Sequence, residues 1–412
     1  MPLKPFHPEE VRGDFPVLSR LVRGKQLAYL DSGASSQMPR QVALAIDSII
    51  ANEYANIHRG VHFLSSQLTG RFEAVREQVK DFLGASALEE IIFTSGTTAA
   101  VNLVSKAWGE KFVAKGDLVA VTSLEHHSNF VAWQSLAIEK GARFEILEAN
   151  ESGEIDLPAL DQLLAKKPKI LAITALSNVM GSILDLKEIA TRANAKGVRV
   201  FVDGAQAIPH LNRKIADFGP IDFLAFSAHK MCGPTGVGVL WGRRELLEEM
   251  NPYQFGGDMI ADVGDRVTTW NKLPWKLEAG TPNITGVLGL GAAISYIEKL
   301  GRERLEVWEQ ALSRYAVQKL IEVPGMKIYG PKLGKERGGL VAFSVDGLHP
   351  HDLGSFLDSE GIAIRVGHHC AQPLHRRLGV EGTCRASFYF YNTHAEIDRL
   401  AETIQRARKM FQ

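Results

Sequence analysis

Residues 226–236 read FSAHKMCGPTG, and the position of the lysine in that stretch decides the fold. The apolar run Phe223, Leu224, Ala225 and Phe226 leads into Ser-Ala-His-Lys, so Lys230 follows a buried strand rather than lying on a solvated face. An unpaired buried ammonium is costly, so a lysine placed there needs a covalent or ionic reason. Working outward, further strand candidates lie at 90–93, 118–122, 143–147, 170–174, 198–202 and 237–240, with helix-like segments between them. That alternation favours an α/β sheet covered by helices on both faces. In open sheets of this kind ligands bind beyond the carboxyl ends of the strands, and the polar residues of interest follow those ends.

A helix before the first of these strands is legible from Phe72, Val75, Val79 and Phe82, one apolar face stopped by Gly84. The stretch 251–291 is irregular and rich in Gly, Pro and Trp, which predicts long functional loops. Beyond it Leu305, Trp308, Leu312 and Tyr315 recur at helical spacing, strands are expected near 339–345, and Thr393 with Glu396 forms a capping box for a last helix. The division expected is an N-terminal segment at 1–25 packing with the small domain, a large domain at 26–294 and a small C-terminal domain at 295–412.

At 412 residues, with 47 basic and 47 acidic side chains, the chain can bury a sizeable core and carries no charge block suited to nucleic acid or a membrane surface. Its partners are therefore expected to be a small molecule or another protein. Three cysteines, Cys232, Cys370 and Cys384, without a CxxC pair argue against a disulfide framework or a zinc ribbon. The start, MPLKPFHPEEVRGDF, has no apolar leader, and no apolar stretch is long enough to span a bilayer, so a cytoplasmic location is expected.

The strand at 198–202 delivers Asp203, and Lys230 follows 27 positions later. A carboxylate that keeps a pyridine nitrogen protonated and a lysine that condenses with an aldehyde make the pair expected of a pyridoxal phosphate (PLP) site. Taken singly, Asp203 reads equally as a turn residue and Lys230 as a surface lysine. TSGTT at 94–98 precedes a helix expected at 99–108, whose first N–H groups can face a phosphate, although Ser and Thr there also read as an ordinary helix cap. Ser227 and His229 offer further phosphate donors. GPTGVG lacks the lysine of a P-loop, and Gly289-x-Gly291 fails at the third glycine of a dinucleotide fingerprint.

In LEHHSN (124–129), His126 could stack on a cofactor ring or serve as a capping or core histidine. The amides of Asn178 and Gln206 follow strand ends and either could meet a phenolic oxygen. RVGHHCAQP (365–373) places Cys370 among Arg365, His368 and His369, groups that favour a thiolate; a buried structural thiol is the plain alternative.

These motifs together resemble the SufS-type (group II) cysteine desulfurases of the class-V aminotransferase family. The resemblance runs through DFPVLSR (14–20), YLDSGASSQ (29–37), NIHRGVHFLS (56–65), TSGTT, EHHSN, SNVMG (177–181), VDGAQA (202–207), SAHKMCGPTG, EAGTPN (278–283) and RVGHHCA. It implies the PLP-dependent fold type I, with a mostly parallel seven-stranded sheet and a smaller α+β C-terminal domain carrying the Cys loop. Lys230 becomes the lysine that tethers PLP, Asp203 the pyridinium partner, His126 the stacking ring, and Asn178 and Gln206 the ligands of the phenolic oxygen. Phosphate contacts fall to Thr97, Thr98, Ser227 and His229, with Thr281 reaching the phosphate of a neighbouring subunit in a homodimer. Arg385, in CRASFYF (384–390), clamps the substrate carboxylate, helped by Arg365 and Asn178.

The implied reaction turns L-cysteine into L-alanine and leaves a persulfide on Cys370. A SufE- or SufU-type acceptor then takes the sulfur for iron–sulfur cluster assembly. Cys232, Gly33 and Ala99 stand where relatives often carry an aromatic residue, Ala and Glu, and none of these departures removes a group the reaction needs. Selenocysteine lyase activity is the rival within this fold. From another class, the rival is a metal-binding protein using His368, His369 and Cys370. His349 and His351 in GLHPHD (347–352) read either as surface residues or as groups facing a metal on an acceptor.

Overall fold

The computed structural model describes residues 4–411; residues 1–3, part of the segment expected at 1–25, and residue 412 lie outside the described residues. Seven strands form the main sheet: β1 (Ile91–Thr94), β2 (Leu118–Thr122), β3 (Arg143–Leu147), β4 (Ile170–Thr174), β5 (Arg199–Asp203), β6 (Phe223–Ser227) and β7 (Gly238–Gly242), in the order β1-β7-β6-β5-β4-β2-β3. Strands β2 to β6 pair in parallel, and β7 runs antiparallel to both β1 and β6.

The five residues of β2, β4, β6 and β7 are all buried, as a sheet covered on both faces requires. Alternate residues enter opposite cores: Leu118, Ala120, Val200 and Val202 on one face, Val119, Val121, Phe201 and Phe223 on the other. The predicted helix face is observed in Phe63–Leu83, which Gly84 ends in the left-handed conformation (φ 68°).

A second, antiparallel sheet of four strands, β8 (Met326–Tyr329), β9 (Leu340–Val345), β10 (Arg365–Gly367) and β11 (Thr383–Ser387), has the order β8-β9-β11-β10. Helices Arg302–Ile321, Pro350–Ser359 and His394–Phe411 pack on it through Leu312, Leu320, Leu353, Leu357, Leu400 and Ile404. The capping box opens the last helix as predicted, Thr393 N donating to Glu396 Oε2 at 3.0 Å and Glu396 N to Thr393 Oγ1 at 3.3 Å. Near the N-terminus Phe15 packs against Tyr296, Phe390 and Tyr391, and Ala28–Tyr29 pairs in parallel with Ile362–Ala363. Between the sheets, buried Arg337 donates to the carbonyls of Met180 (2.8 Å), Tyr329 (3.0 Å) and Pro331 (2.6 Å).

Three expectations shift. The irregular stretch holds a hairpin, Ile260–Val263 with Thr268–Trp270, and ends early, because Asn283 Oδ1 accepts from Gly286 N (3.0 Å) and starts the helix Ile284–Leu300. The expected domain boundary at 294/295 falls inside that helix, and the chain turns at Gly301 (φ 85°). The helix after TSGTT begins at Thr97, two residues before the expected start, with Gly96 as its cap.

Candidate active site

The carboxyl ends of β4, β5 and β6 open on a cavity of about 180 Å³ that the second sheet closes from the other side. Lys230, Asp203, His126, Asn178, Gln206, Thr97, Thr98, Ser227, His229, Arg365, His369, Cys370 and Arg385 all line it. Thr281 does not; it is exposed in the EAGTPN loop. That loop is fixed by Glu278, which takes a two-pronged bond from buried Arg76 (2.7 and 2.9 Å) and accepts from Phe93 N at 2.6 Å.

One wall is an anion cradle. Gly96 caps Thr97–Val104 with φ 149°, a conformation natural to glycine, and brings Thr97 N within 2.8 Å of Ser227 Oγ. Thr97 Oγ1 pairs with Ser227 Oγ (2.7 Å) and Thr98 Oγ1 with Ser128 Oγ (2.7 Å), so four hydroxyls and a helix N-terminus meet. Gly238 of β7 makes the turn possible: a Cβ there would stand 2.4 Å from Gly96 Cα. Ser128 was not singled out from the sequence, although EHHSN displays a serine at a helix start.

Opposite the cradle Asp203 ends β5, buried, with Oδ1 accepting from Ala205 N at 2.9 Å. Burial raises its pKa, opposed by the Ala205 N–H and by Lys230. Burial also pulls the Lys230 ammonium down to about 8, with Asp203 acting the other way. His126 is held neutral, its pKa lowered to about 3 by burial and then by Lys230; its Nδ1 accepts from Ser128 N (3.2 Å), leaving the ring proton on Nε2. Gln206 Nε2 donates to Gly33 O (2.7 Å), while its Oε1 is buried without a partner.

An anion cradle, a buried carboxylate, a flat neutral ring, an amine and an orphaned amide oxygen around one cavity are the donor set that a phosphorylated pyridine aldehyde needs. PLP therefore fits these residues. The amide nitrogen of Asn178 is directed elsewhere, to His369 O at 2.7 Å, whereas Gln206 keeps a buried amide oxygen without a partner.

Beneath the cavity lies a carboxyl the sequence reading missed. Glu125 is buried and accepts from Thr122 Oγ1, Asn129 Nδ2 (2.6 Å) and Thr174 N (2.9 Å), tying β2, β4 and the following helix together under His126. Burial pushes its pKa up to about 8.

On the small-sheet side, Arg385 is buried and preset: Nη1 donates to Asn178 O (2.9 Å) and Nη2 to Asp31 Oδ1 (3.2 Å). Of the three groups expected to favour a Cys370 thiolate, only Arg365 reaches it, Nη2 standing 3.9 Å from Sγ. His369 turns its Nε2 to Thr383 Oγ1 (2.9 Å), and burial lowers its pKa to about 2; His368 is exposed, its ring edge on His375. Those rings serve the loop's packing and do not supply charge at the sulfur. Among the described residues no three His, Cys, Asp or Glu converge on a metal position. His349 caps Pro350–Ser359, Nδ1 accepting from His351 N at 3.2 Å, and both rings are exposed. No helix among the described residues is long and apolar enough to cross a membrane.

The model of the class-V aminotransferases matches residues 28–400. A probable cysteine desulfurase of Halalkalibacterium halodurans is 46% identical over 402 residues, 98% of each chain. A cysteine desulfurase of Klebsiella pneumoniae is 46% identical over 98% of this chain and 99% of its own. Among solved structures, the apo cysteine desulfurase of Thermococcus onnurineus superposes with a TM-score of 0.93 at 37% identity over all of both chains. An Escherichia coli cysteine desulfurase in its S-sulfonic acid form gives 0.90 at 38% identity, covering 99% of this chain and 100% of that one. With its sheet order, its lysine at a strand end and relatives of this similarity along its length, the chain belongs to the aminotransferase class-V family.

Proposed function

We propose that this chain is a PLP-dependent cysteine desulfurase of the SufS type, converting L-cysteine to L-alanine and holding the released sulfur as a persulfide on Cys370. The observation that carries the reading is that Cys370 and Lys230, 140 positions apart in the sequence, line one cavity with Asp203. The RVGHHCA form of the loop at 365–371 supports the SufS assignment.

PLP, when bound, supplies an aldehyde for amine capture and a ring that accepts the electron pair left at the substrate Cα. With PLP bound, Asp203 would hold the proton at the pyridine nitrogen, and His126 would offer its neutral ring to the pyridine. Thr97, Thr98, Ser227 and His229 would hold the phosphate, and Gln206 would face the phenolic oxygen, while the Asn178 amide nitrogen stays on His369 O. Arg385, already oriented by Asp31, takes the substrate carboxylate with Arg365 beside it. Lys230 Nζ, whose pKa near 8 leaves a useful neutral fraction, removes the Cα proton. Cys370 Sγ, as the thiolate, forms an S–S bond to the substrate sulfur as the substrate Cβ–S bond breaks. The pair from that bond stays with the carbon skeleton, which takes up one proton at Cβ, recovers one at Cα and leaves as alanine.

The enzyme works as a cytoplasmic homodimer in which Thr281 reaches the neighbour's phosphate. A SufE- or SufU-type acceptor carries the sulfur toward iron–sulfur clusters. Cys370→Ala is expected to keep the yellow cofactor and lose sulfide release from cysteine; undiminished release would remove Cys370 from the mechanism. Lys230→Ala is expected to lose the visible absorbance band of the tethered cofactor, and its survival would show that another amine holds PLP.

A further inference from the structure

The loop that carries Cys370 is strained. His369 (φ 50°) and Cys370 (φ 57°) are consecutive non-glycine residues in the left-handed region, a conformation that persists only where surroundings impose it. Each carbonyl of the pair is captured from the large-sheet side: His369 O by Asn178 Nδ2 (2.7 Å) and Cys370 O by His127 N (2.7 Å). The ring of His127 then reaches back, its Nε2 accepting from Gln372 N at 3.0 Å.

Both N–H groups open a helix, His127–Lys140 and Gln372–Leu378, and are among the donors a helix leaves unsatisfied. The two helix starts thus cap one another across the gap between the sheets, with Cys370 held between them. Just beyond, Arg377 makes a two-pronged bond to Glu148 (2.6 and 2.8 Å), fastening the far end of the short helix to the same side. Burial, with His368 adding to it, lowers the His127 pKa, which agrees with an Nε2 free to accept.

We infer that His127 is the positioning residue of the nucleophile loop, its ring acting as a latch that keeps Cys370 over the cavity. Asn178 makes the companion contact but also lines the cofactor cavity, whereas His127 meets the loop without being among the cavity residues. This inference rests on Cys370 being the sulfur-accepting group.

Iodoacetamide isolates the loop, because Cys232 (0% exposed) and Cys384 (1%) are shut away and Cys370 is the thiol within reach of the reagent. In PLP-loaded His127→Ala, loss of one hydrogen bond is expected to speed Cys370 alkylation and lower kcat, each by up to about tenfold, with KM for cysteine and the cofactor spectrum unchanged. His127→Gln, whose Oε1 can accept from Gln372 N, is expected to restore both rates to within about threefold of the parent. Alkylation at the parent rate in His127→Ala, loss of its cofactor band, or a Gln variant no better than Ala would each overturn the latch. Cys370→Ala run alongside separates the two failures: if it still releases sulfide the assignment of Cys370 as the sulfur-accepting group falls, and if it is inactive while His127→Ala behaves as the parent only the latch falls.

Discussion

Glu125 shows how a single side chain can matter beneath a site without facing it. Its carboxyl, carried to about 8 by burial, keeps in the folded protein a proton that the unfolded chain releases near 4.5. The stabilisation from this group is complete below that lower value and is lost as pH rises through about 8. Glutamine cannot substitute, because an amide nitrogen in either orientation faces a donor, Thr174 N or Asn129 Nδ2. Glu125→Gln is expected to cost about 1–3 kcal/mol at about pH 5 and less at about pH 9, read as denaturant midpoints of both proteins at each pH. An equal cost at both pH values would show the carboxyl to be ionised throughout. Lys230, Asp203 and Cys370 were legible because each breaks a local rule: an amine or acid at the end of an apolar run, a thiol in a polar loop. Glu125, Ser128 and His127 were not, since acids, serines and histidines at helix starts are ordinary, and what sets these apart is a partner far away in the sequence.

At the scale of elements, the cofactor cradle depends on two glycines on different strands of chain. Gly238 is the first residue of β7, the one antiparallel member of the large sheet, and its missing Cβ is what lets the turn at Gly96 lie against it. Gly238→Ala would press on backbone atoms of Gly96 and on Phe226 O, which cannot swing aside as a side chain would. Overpacking of about 2 kcal/mol is expected to weaken PLP binding at least tenfold in a reconstitution titration, with the secondary structure retained. Unchanged affinity would mean that the cradle does not hold the phosphate. The seven strands of the large sheet were readable to within two residues, because buried β-branched and aromatic runs have few alternatives, whereas the short strands Met326–Tyr329, Arg365–Gly367 and Thr383–Ser387 were not. The helix starts were read late or missed, at Thr97 and Ile284, because Gly96 and Asn283 act as caps only once their distant neighbours are in place.

For the whole molecule, the relation of the two sheets rests on buried polar fastenings as well as on apolar packing. Arg337 has no carboxylate partner in its set of bonds and spends its guanidinium on carbonyls of Met180, Tyr329 and Pro331, while burial lowers its pKa to about 10. Arg337→Leu strands those carbonyls and is expected to cost about 3 kcal/mol, measured as a drop in denaturant midpoint. It is also expected to lower kcat, because Met180 belongs to the same turn as Asn178; full stability would show that solvent replaces the guanidinium. The sequence pattern revealed the large sheet and a separate C-terminal lobe but not how they lock, since an arginine in a loop between strands looks solvated until its carbonyls converge.

The pairing of Ala28–Tyr29 with Ile362–Ala363 bears on how the chain is made. A nascent polypeptide leaving the ribosome presents Ala28–Tyr29 more than three hundred residues before the strand's mate exists. Arg385, which reaches back to Asp31, emerges later still. The large sheet can gather during translation, but the sulfur-handling half of the pocket closes only when synthesis is nearly complete, so an unfinished product cannot liberate sulfur prematurely.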